Sequence, residues 1–226
     1  LGIMGGAIAK NLVDDGYQVF GYDPDMDQCK NAKKSGITIT GSVEEVAENS
    51  HIMLSSLPNA DALDAIVSEL IELSESDRTA DILIELSTLD LVTKQKNQAR
   101  LIDVGLELLD CPISGTGQQV KTGDIVLFAS GDQNIFSDCS RIFKSIAKQS
   151  YYLGEFGSGT KMKLIANLLV AIHNVASAEA VILAKRSGLD MEQFYEVISS
   201  SPCSSKIFEL RAPLMISNTY EPATMK

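Results

Sequence analysis

Gly157-Ser158-Gly159-Thr160-Lys161-Met162-Lys163-Leu164-Ile165-Ala166-Asn167 opens a run that continues to Ala184-Lys185-Arg186-Ser187-Gly188, with no proline or glycine between Thr160 and Ser187. Good helix formers fill the run, and a basic pair followed by glycine is a stop signal. One long helix is predicted. At about 1.5 Å per residue, roughly 28 residues span about 40 Å, enough to bridge two domains. Its apolar stretch, Leu164 to Leu183, is punctuated by Asn167, His173, Asn174, Ser177 and Glu179, so a membrane span is not expected.

Upstream of this helix the hydrophobic period alternates between helix and strand. Helices are predicted over 2–14, 26–34, from 43, 61–73, 91–102 and 134–147, and strands over 17–22, 37–40, 51–56, 82–85, 106–110, 125–129 and 150–153. Downstream only helices are predicted, at 191–199 behind Asp190 as N-cap, at 205–211, and in a short segment before Pro222. The pattern predicts an α/β fold. A Rossmann-type, doubly wound, mostly parallel sheet is expected over 1–155, followed by an all-helical C-terminal domain over 156–226, entered through the long interdomain helix.

The 226 residues are 45% hydrophobic, enough for a sizeable core, and carry a formal charge of -11 without a Lys/Arg-rich run. That balance argues against a nucleic-acid partner and for a small ligand. Cys29, Cys111, Cys139 and Cys203 are scattered without C-x-x-C spacing, and only His51 and His173 are present. Reduced thiols in a cytoplasmic protein and no metal centre are expected.

Three constellations carry chemistry. The first is Leu1-Gly2-Ile3-Met4-Gly5-Gly6 at a helix start, with Asp23 18 residues after Gly5 at the end of the next strand. Glycines there let backbone N–H groups approach a pyrophosphate, and the acid accepts from the adenosine ribose. Gly2 and Gly5 take the places of the second and third glycines of that motif. The first glycine and its strand would precede Leu1, so the chain is expected to continue beyond both ends of this sequence. A carboxylate at Asp23, followed by Pro24 rather than Arg, repels a 2′-phosphate, which favours NAD over NADP. Asp23 as a simple turn cap before Pro24 is the alternative.

The second is Asp110-Cys111-Pro112-Ile113-Ser114-Gly115-Thr116-Gly117-Gln118-Gln119-Val120-Lys121-Thr122-Gly123, behind a predicted strand. Its small residues can aim N–H and O–H donors at a carboxylate; a plain glycine-rich loop is the alternative. The third is Lys163 with Asn167, four residues apart on one helix face. A lysine in an apolar cleft can exchange a proton near neutral pH, and an amide one turn on can orient a hydroxyl. An exposed lysine on a solvated face is the alternative, and Lys161 is an equal candidate.

Together these motifs resemble the β-hydroxyacid dehydrogenase family, which includes 3-hydroxyisobutyrate dehydrogenases, tartronate semialdehyde reductases and glyoxylate/succinic semialdehyde reductases. Leu1 to Gly5 matches its G-L-G-x-M-G turn, Asp110 to Gly115 its D-x-P-x-S-G motif, and Gly157 to Asn167 its G-x-G-x-x-x-K-x-x-x-N motif. The resemblance implies Lys163 as catalytic lysine, Asn167 as its partner, and Ser114, Gly115 and Thr116 around a substrate carboxylate. It implies Gly2, Ile3, Met4, Gly5 and Asp23 on the cofactor, with Leu57, Pro58, Ser87 and Thr88 beside the nicotinamide. A homodimer or homotetramer acting on a small 3-hydroxy acid, or its aldehyde or keto form, is implied, with NAD or NADP and no metal. The sequence departs from the family at Thr116, where a second glycine is usual, and at Ala166, where many members have asparagine. The family's later Lys-Asp pair would fall after Lys226. A 6-phosphogluconate-dehydrogenase-like decarboxylase and a catalytically silent dinucleotide binder on the same fold are the alternative readings.

Overall fold

A computed structural model describes residues 1–219. The chain divides into two compact units, Leu1–Lys163 and Leu164–Lys226. The first begins with α1 (Ile3–Asp14), β1 (Phe20–Gly21), α2 (Met26–Lys34), β2 (Thr38–Ile39), α3 (Val43–Asn49), β3 (Ile52–Ser55) and α4 (Ala60–Glu72). After a 3-10 turn at Glu75–Asp77 come β4 (Ile82–Glu85), α5 (Leu91–Ile102), β5 (Glu107–Asp110), β6 (Ile113–Ser114) and α6 (Gly117–Lys121). It ends with β7 (Val126–Ala129), α7 (Gln133–Asp138), α8 (Ser140–Ile146), β8 (Gln149–Tyr152) and the start of α9 (Ser158–Arg186).

Strands β3, β4 and β5 are parallel and in register, as are β7 and β8, while β6 runs antiparallel to β7. A bridge between Asp110 and Ser130 joins β5 to the segment after β7, with N–H···O distances of 3.0 and 2.8 Å. β1 and β2 form a separate parallel pair. The period of two divides the core between the faces. Ile84, Leu109 and Leu127 pack with Ile8, Val120 and Phe143 on one side; Leu83 and Leu108 pack with Leu63, Leu70 and Leu101 on the other. The sheet is thus covered on both faces, as a doubly wound fold requires.

The chain departs from the sequence expectation at four places. Residues 134–147, expected as one helix, form α7 and α8, which meet at Cys139; the break leaves Cys139 fully buried and stacks Phe136 on Phe143 at 5.3 Å. The strand expected over 17–22 shrinks to Phe20–Gly21, because the Tyr17 N–H closes the end of α1 on the Leu12 carbonyl at 3.0 Å. The loop expected over 110–123 contains β6 and α6. The helix expected at 205–211 runs through Pro213 to Ser217.

That last helix belongs to the second unit, which holds the rest of α9, then α10 (Met191–Ser199) and α11 (Lys206–Ser217). An interior proline costs about 3 kcal/mol. Packing offsets it: Phe208 and Ala212 are buried with Val181, and the Phe208 ring lies 5.9 Å from Phe194 and 6.0 Å from Tyr195. Lys185 donates to the carbonyls of Met215 and Ile216 at 3.3 and 3.1 Å, and Asn218 ends the helix at φ 55°. Pro222 and the rest of 220–226 lie outside the described residues. By length and composition α9 is apolar enough to cross a membrane, and it exposes Leu168, Val175 and Leu183.

Candidate functional site

The last residues of β3, β4 and β5 are Ser55, Glu85 and Asp110, paired across the parallel register. Together with Ser130 they form a buried polar row at the carboxyl edge of the sheet, where open α/β folds place their ligands. Lys94 of α5 supplies the counter-charge. Its ammonium is fully buried, 2.6 Å from Glu85 Oε2 and 2.8 Å from Asp110 Oδ1, and it donates to the Ser87 carbonyl at 2.7 Å. The ammonium thus donates to Asp110 and to the Ser87 carbonyl and meets Glu85 as an ion pair. Burial pushes the Glu85 carboxyl above the usual range, with Lys94 pulling the other way. Breaking a buried pair of this kind by removing one partner typically costs about 3–5 kcal/mol.

The same row holds the start of α9. Asp110 Oδ2 accepts from the Thr160 backbone N–H at 2.8 Å, and Oδ1 accepts from Thr160 Oγ1 at 2.7 Å. Ser130 Oγ donates to Asp110 Oδ2 at 3.2 Å and accepts from the Gly159 N–H at 2.9 Å. A carboxylate beside unpaired N–H groups at a helix N-terminus is favourable both as acceptor and as charge. Close approach explains both glycines. A Cβ at Gly159 would strike the Phe128 carbonyl and lie 2.8 Å from the Asp110 carbonyl, and one at Gly157, whose φ is 92°, would lie 2.5 Å from Leu91 Cδ1.

Lys163 follows within the next turn. It is half-buried, and desolvation lowers its pKa below the ordinary lysine value. Lys161, an equal candidate by sequence, is exposed. Asn167 lies four residues beyond Lys163 on the same helix, exposed, and falls in the second unit.

At the chain's start, Gly2 caps α1 in an extended conformation with no side-chain cap and no acid in the first turn. The first in-helix bond there runs from the Gly6 N–H to the Gly2 carbonyl at 2.8 Å, so the N–H groups of Ile3, Met4 and Gly5 have no acceptor within the helix. That uncapped turn suits a pyrophosphate. Asp23 Oδ2 accepts from the Leu1 nitrogen at 2.7 Å and Oδ1 from the Asp25 N–H at 2.8 Å. The turn-cap role is therefore present, yet a carboxylate has about four acceptor positions and two are free for ribose hydroxyls. Leu57 and Ser87, from two different strand ends, meet directly: the Leu57 N–H donates to Ser87 Oγ at 2.7 Å, with Pro58 and Thr88 exposed beside them. These residues fit a dinucleotide. A cleft of about 460 Å³ between α1 and α2 touches Gly2 and Ile3 but none of the other candidate residues.

In the run from Asp110 to Gly123, Ser114 is half-buried in β6, paired with Val126. A Cβ at Gly115 would lie 2.5 Å from Ile125 Cγ2, so the contact demands glycine. Thr116 caps α6 through a reciprocal pair with Gln119, its Oγ1 accepting from the Gln119 N–H at 3.4 Å while its own N–H donates to Gln119 Oε1 at 2.9 Å. The hydroxyl that replaces the family's usual glycine thus holds a helix start and keeps its own hydrogen to donate. All four cysteines are free. Among the described residues no group of three or more His, Cys, Asp and Glu side chains is gathered as a metal would need.

Residues 1–154 match the model of the NAD binding domain of 6-phosphogluconate dehydrogenase, and residues 157–225 match that of the NAD-binding domain of NADP-dependent 3-hydroxyisobutyrate dehydrogenase. The chain belongs to the β-hydroxyacid dehydrogenase family. It is 27% identical over 223 residues to glyoxylate/succinic semialdehyde reductase 1 of Arabidopsis thaliana, covering 99% of this chain and 77% of that one. To the mitochondrial 3-hydroxyisobutyrate dehydrogenase of Rattus norvegicus it is 29% identical over 224 residues, covering 98% and 64%. A 3-hydroxyisobutyrate dehydrogenase structure from Mycobacterium tuberculosis superposes with a TM-score of 0.89 at 22% identity, covering 98% and 78%, a likeness of fold.

Sequence reasoning passed over Lys94, Glu85, Ser130 and Thr160. Lys94, Asn97 and Leu101 share the buried face of α5 at spacings of three and four, and a lysine inside such a stripe is the available signal. Gly159→Ala is expected to destabilise the protein by about 1–3 kcal/mol, because the added methyl group must displace the Phe128 and Asp110 carbonyls. Urea denaturation measures this; an unchanged midpoint would contradict the close packing.

Proposed function

We propose that the chain moves hydride between NAD(P) and the carbinol carbon of a small 3-hydroxy carboxylic acid, with Lys163 as general acid and base. The observation that carries the reading is Lys163 itself: half-buried, its basicity lowered by desolvation, on a helix whose first turn is bound to the carboxyl edge of the sheet. The nicotinamide, when bound, supplies the hydride acceptor or donor. In oxidation the neutral Lys163 amine takes the hydroxyl proton while the carbinol hydrogen leaves as hydride, giving the aldehyde or keto acid. In reduction the Lys163 ammonium returns that proton to the forming alkoxide. Asn167 orients the reacting hydroxyl. Ser114, Gly115 and Thr116 hold the carboxylate, so the distance from anion to carbinol selects the 3-hydroxy pattern.

Relatives named as semialdehyde reductases and hydroxy-acid dehydrogenases support this class of substrate. The Asp23 carboxylate, 16% exposed and with acceptor positions to spare, supports NAD as the preferred cofactor. Free cysteines support a reducing, cytoplasmic setting. The exposed apolar side chains of α9, among them Leu164, Leu168 and Ile172, support self-association as a homodimer or homotetramer. Sedimentation of the full-length protein is expected to give a multiple of the chain mass; a monomer at micromolar concentration would overturn that assignment.

The activity is tested on the full-length protein with 3-hydroxyisobutyrate, glycerate, 3-hydroxybutyrate and 3-hydroxypropionate, each with NAD and with NADP. One acid is expected to turn over, and Lys163→Ala to lose kcat by about 10²–10⁴-fold while still binding cofactor. Because desolvation disfavours the ammonium, kcat/KM for oxidation should rise with pH through a pKa below the ordinary lysine value. The reductive rate should fall over the same range. A wild type that binds NAD but turns over none of these acids or their aldehydes would instead be a silent dinucleotide binder. Replacing Asp23 by glycine is expected to raise NADP use relative to NAD; an unchanged ratio would remove Asp23 from cofactor choice.

A further inference from the structure

Lys94 is absent from the motifs of the sequence, yet its ammonium is buried at the junction of two groups of candidate residues. Towards the cofactor side it donates to the Ser87 carbonyl and pairs with Glu85, whose Oε1 accepts from the Ser87 N–H at 2.9 Å; Ser87 Oγ in turn accepts from the Leu57 N–H. Towards the helix side it pairs with Asp110, which holds both the N–H and the hydroxyl of Thr160, three residues before Lys163.

We infer that Lys94 is a positioning residue that locks the Leu57 and Ser87 edge to the first turn of α9, so that the cofactor side and Lys163 hold one fixed spacing. The chemistry of the row favours a cation there. Glu85 and Asp110 end adjacent strands in register, and two buried carboxylates side by side repel unless one holds a proton or a shared positive charge lies between them; the Lys94 ammonium is that charge. A single ammonium with three donors meets that need and also reaches the Ser87 backbone. An apolar residue at position 94 fills the space but makes none of these connections, leaving the two ends joined only through the backbone ladder of β3, β4 and β5. Hydride and proton transfer demand near-ångström alignment, so loss of the lock acts on the chemical step more than on binding.

The kinetic part of this inference rests on the hydride-transfer reading, and the exchange part stands without it. Amide hydrogen exchange is measured on the full-length protein, on Lys94→Met and on Thr160→Val. In Lys94→Met the amides of Leu57, Ser87 and Thr160 are expected to exchange together, faster by about fivefold or more, while amides of α10 keep wild-type protection. Thr160→Val, which leaves every charge in place, is expected to speed exchange at Leu57 and Ser87 as well, since coupling is reciprocal. Loosening confined to Ser87 in the first variant, or to the start of α9 in the second, would overturn the lock. If Lys94→Met fails to fold, Thr160→Val decides alone. In the kinetic arm, Lys94→Met is expected to lower kcat by about tenfold or more with cofactor Kd within about threefold. Wild-type kcat with loosened amides would overturn the positioning role, whereas a wild type without hydride transfer would sink the function and leave the exchange result standing.

Discussion

Four donors converge on the buried carboxylate of Asp110: the Lys94 ammonium, the Ser130 hydroxyl, and both the N–H and the hydroxyl of Thr160. Two carboxylate oxygens offer about four acceptor positions, so this set is complete. Asp110 has no capacity left for a substrate. Its place at the head of the run from Asp110 to Gly123 is therefore structural: it ends β5, joins β5 to the β7 segment through Ser130, and receives the first turn of α9. One side chain thereby ties the sheet edge to the helix that bears Lys163.

The glycines around that contact follow from it. α9 begins so close to the sheet edge that a Cβ at Gly159 would strike the Phe128 and Asp110 backbones, and one at Gly157 would strike Leu91. The payoff is rigidity at Lys163. A lysine on a long, mobile stem is a poor general base unless its helix is fixed and its ammonium is partly stripped of water; the role proposed for Lys163 draws on Asp110 for the first and on burial for the second. The uncapped first turn of α1 works by the opposite device, leaving N–H groups unpaired for an anionic ligand.

Much of this architecture is legible in the sequence because periodicity and capping are local. Helices at Met26–Lys34, Leu91–Ile102 and Met191–Ser199 have the bounds their patterns predict, with Asp25, Asp90 and Asp190 as caps. What escapes is tertiary. The break at Cys139 answers to the Phe136–Phe143 stack, and the run of α11 through Pro213 to the packing around Phe208. At the site, Lys163 and Asn167 stand out by spacing, but Lys94 does not, since a lysine is ordinarily a surface residue and its partners lie on other strands. Thr116, legible as an oddity in a glycine position, turns out to cap a helix that local pattern alone leaves as loop.

The proton of the proposed reaction is assigned to Lys163. Chemical rescue tests it most directly: small primary amines are added to Lys163→Ala, and the rate of nicotinamide reduction is followed with a substrate that the wild type oxidises. The rate is expected to rise with the concentration of amine free base and with amine basicity, while wild type does not respond. A Lys163→Ala variant as fast as wild type, or one that no amine accelerates although it binds cofactor and substrate normally, would contradict it.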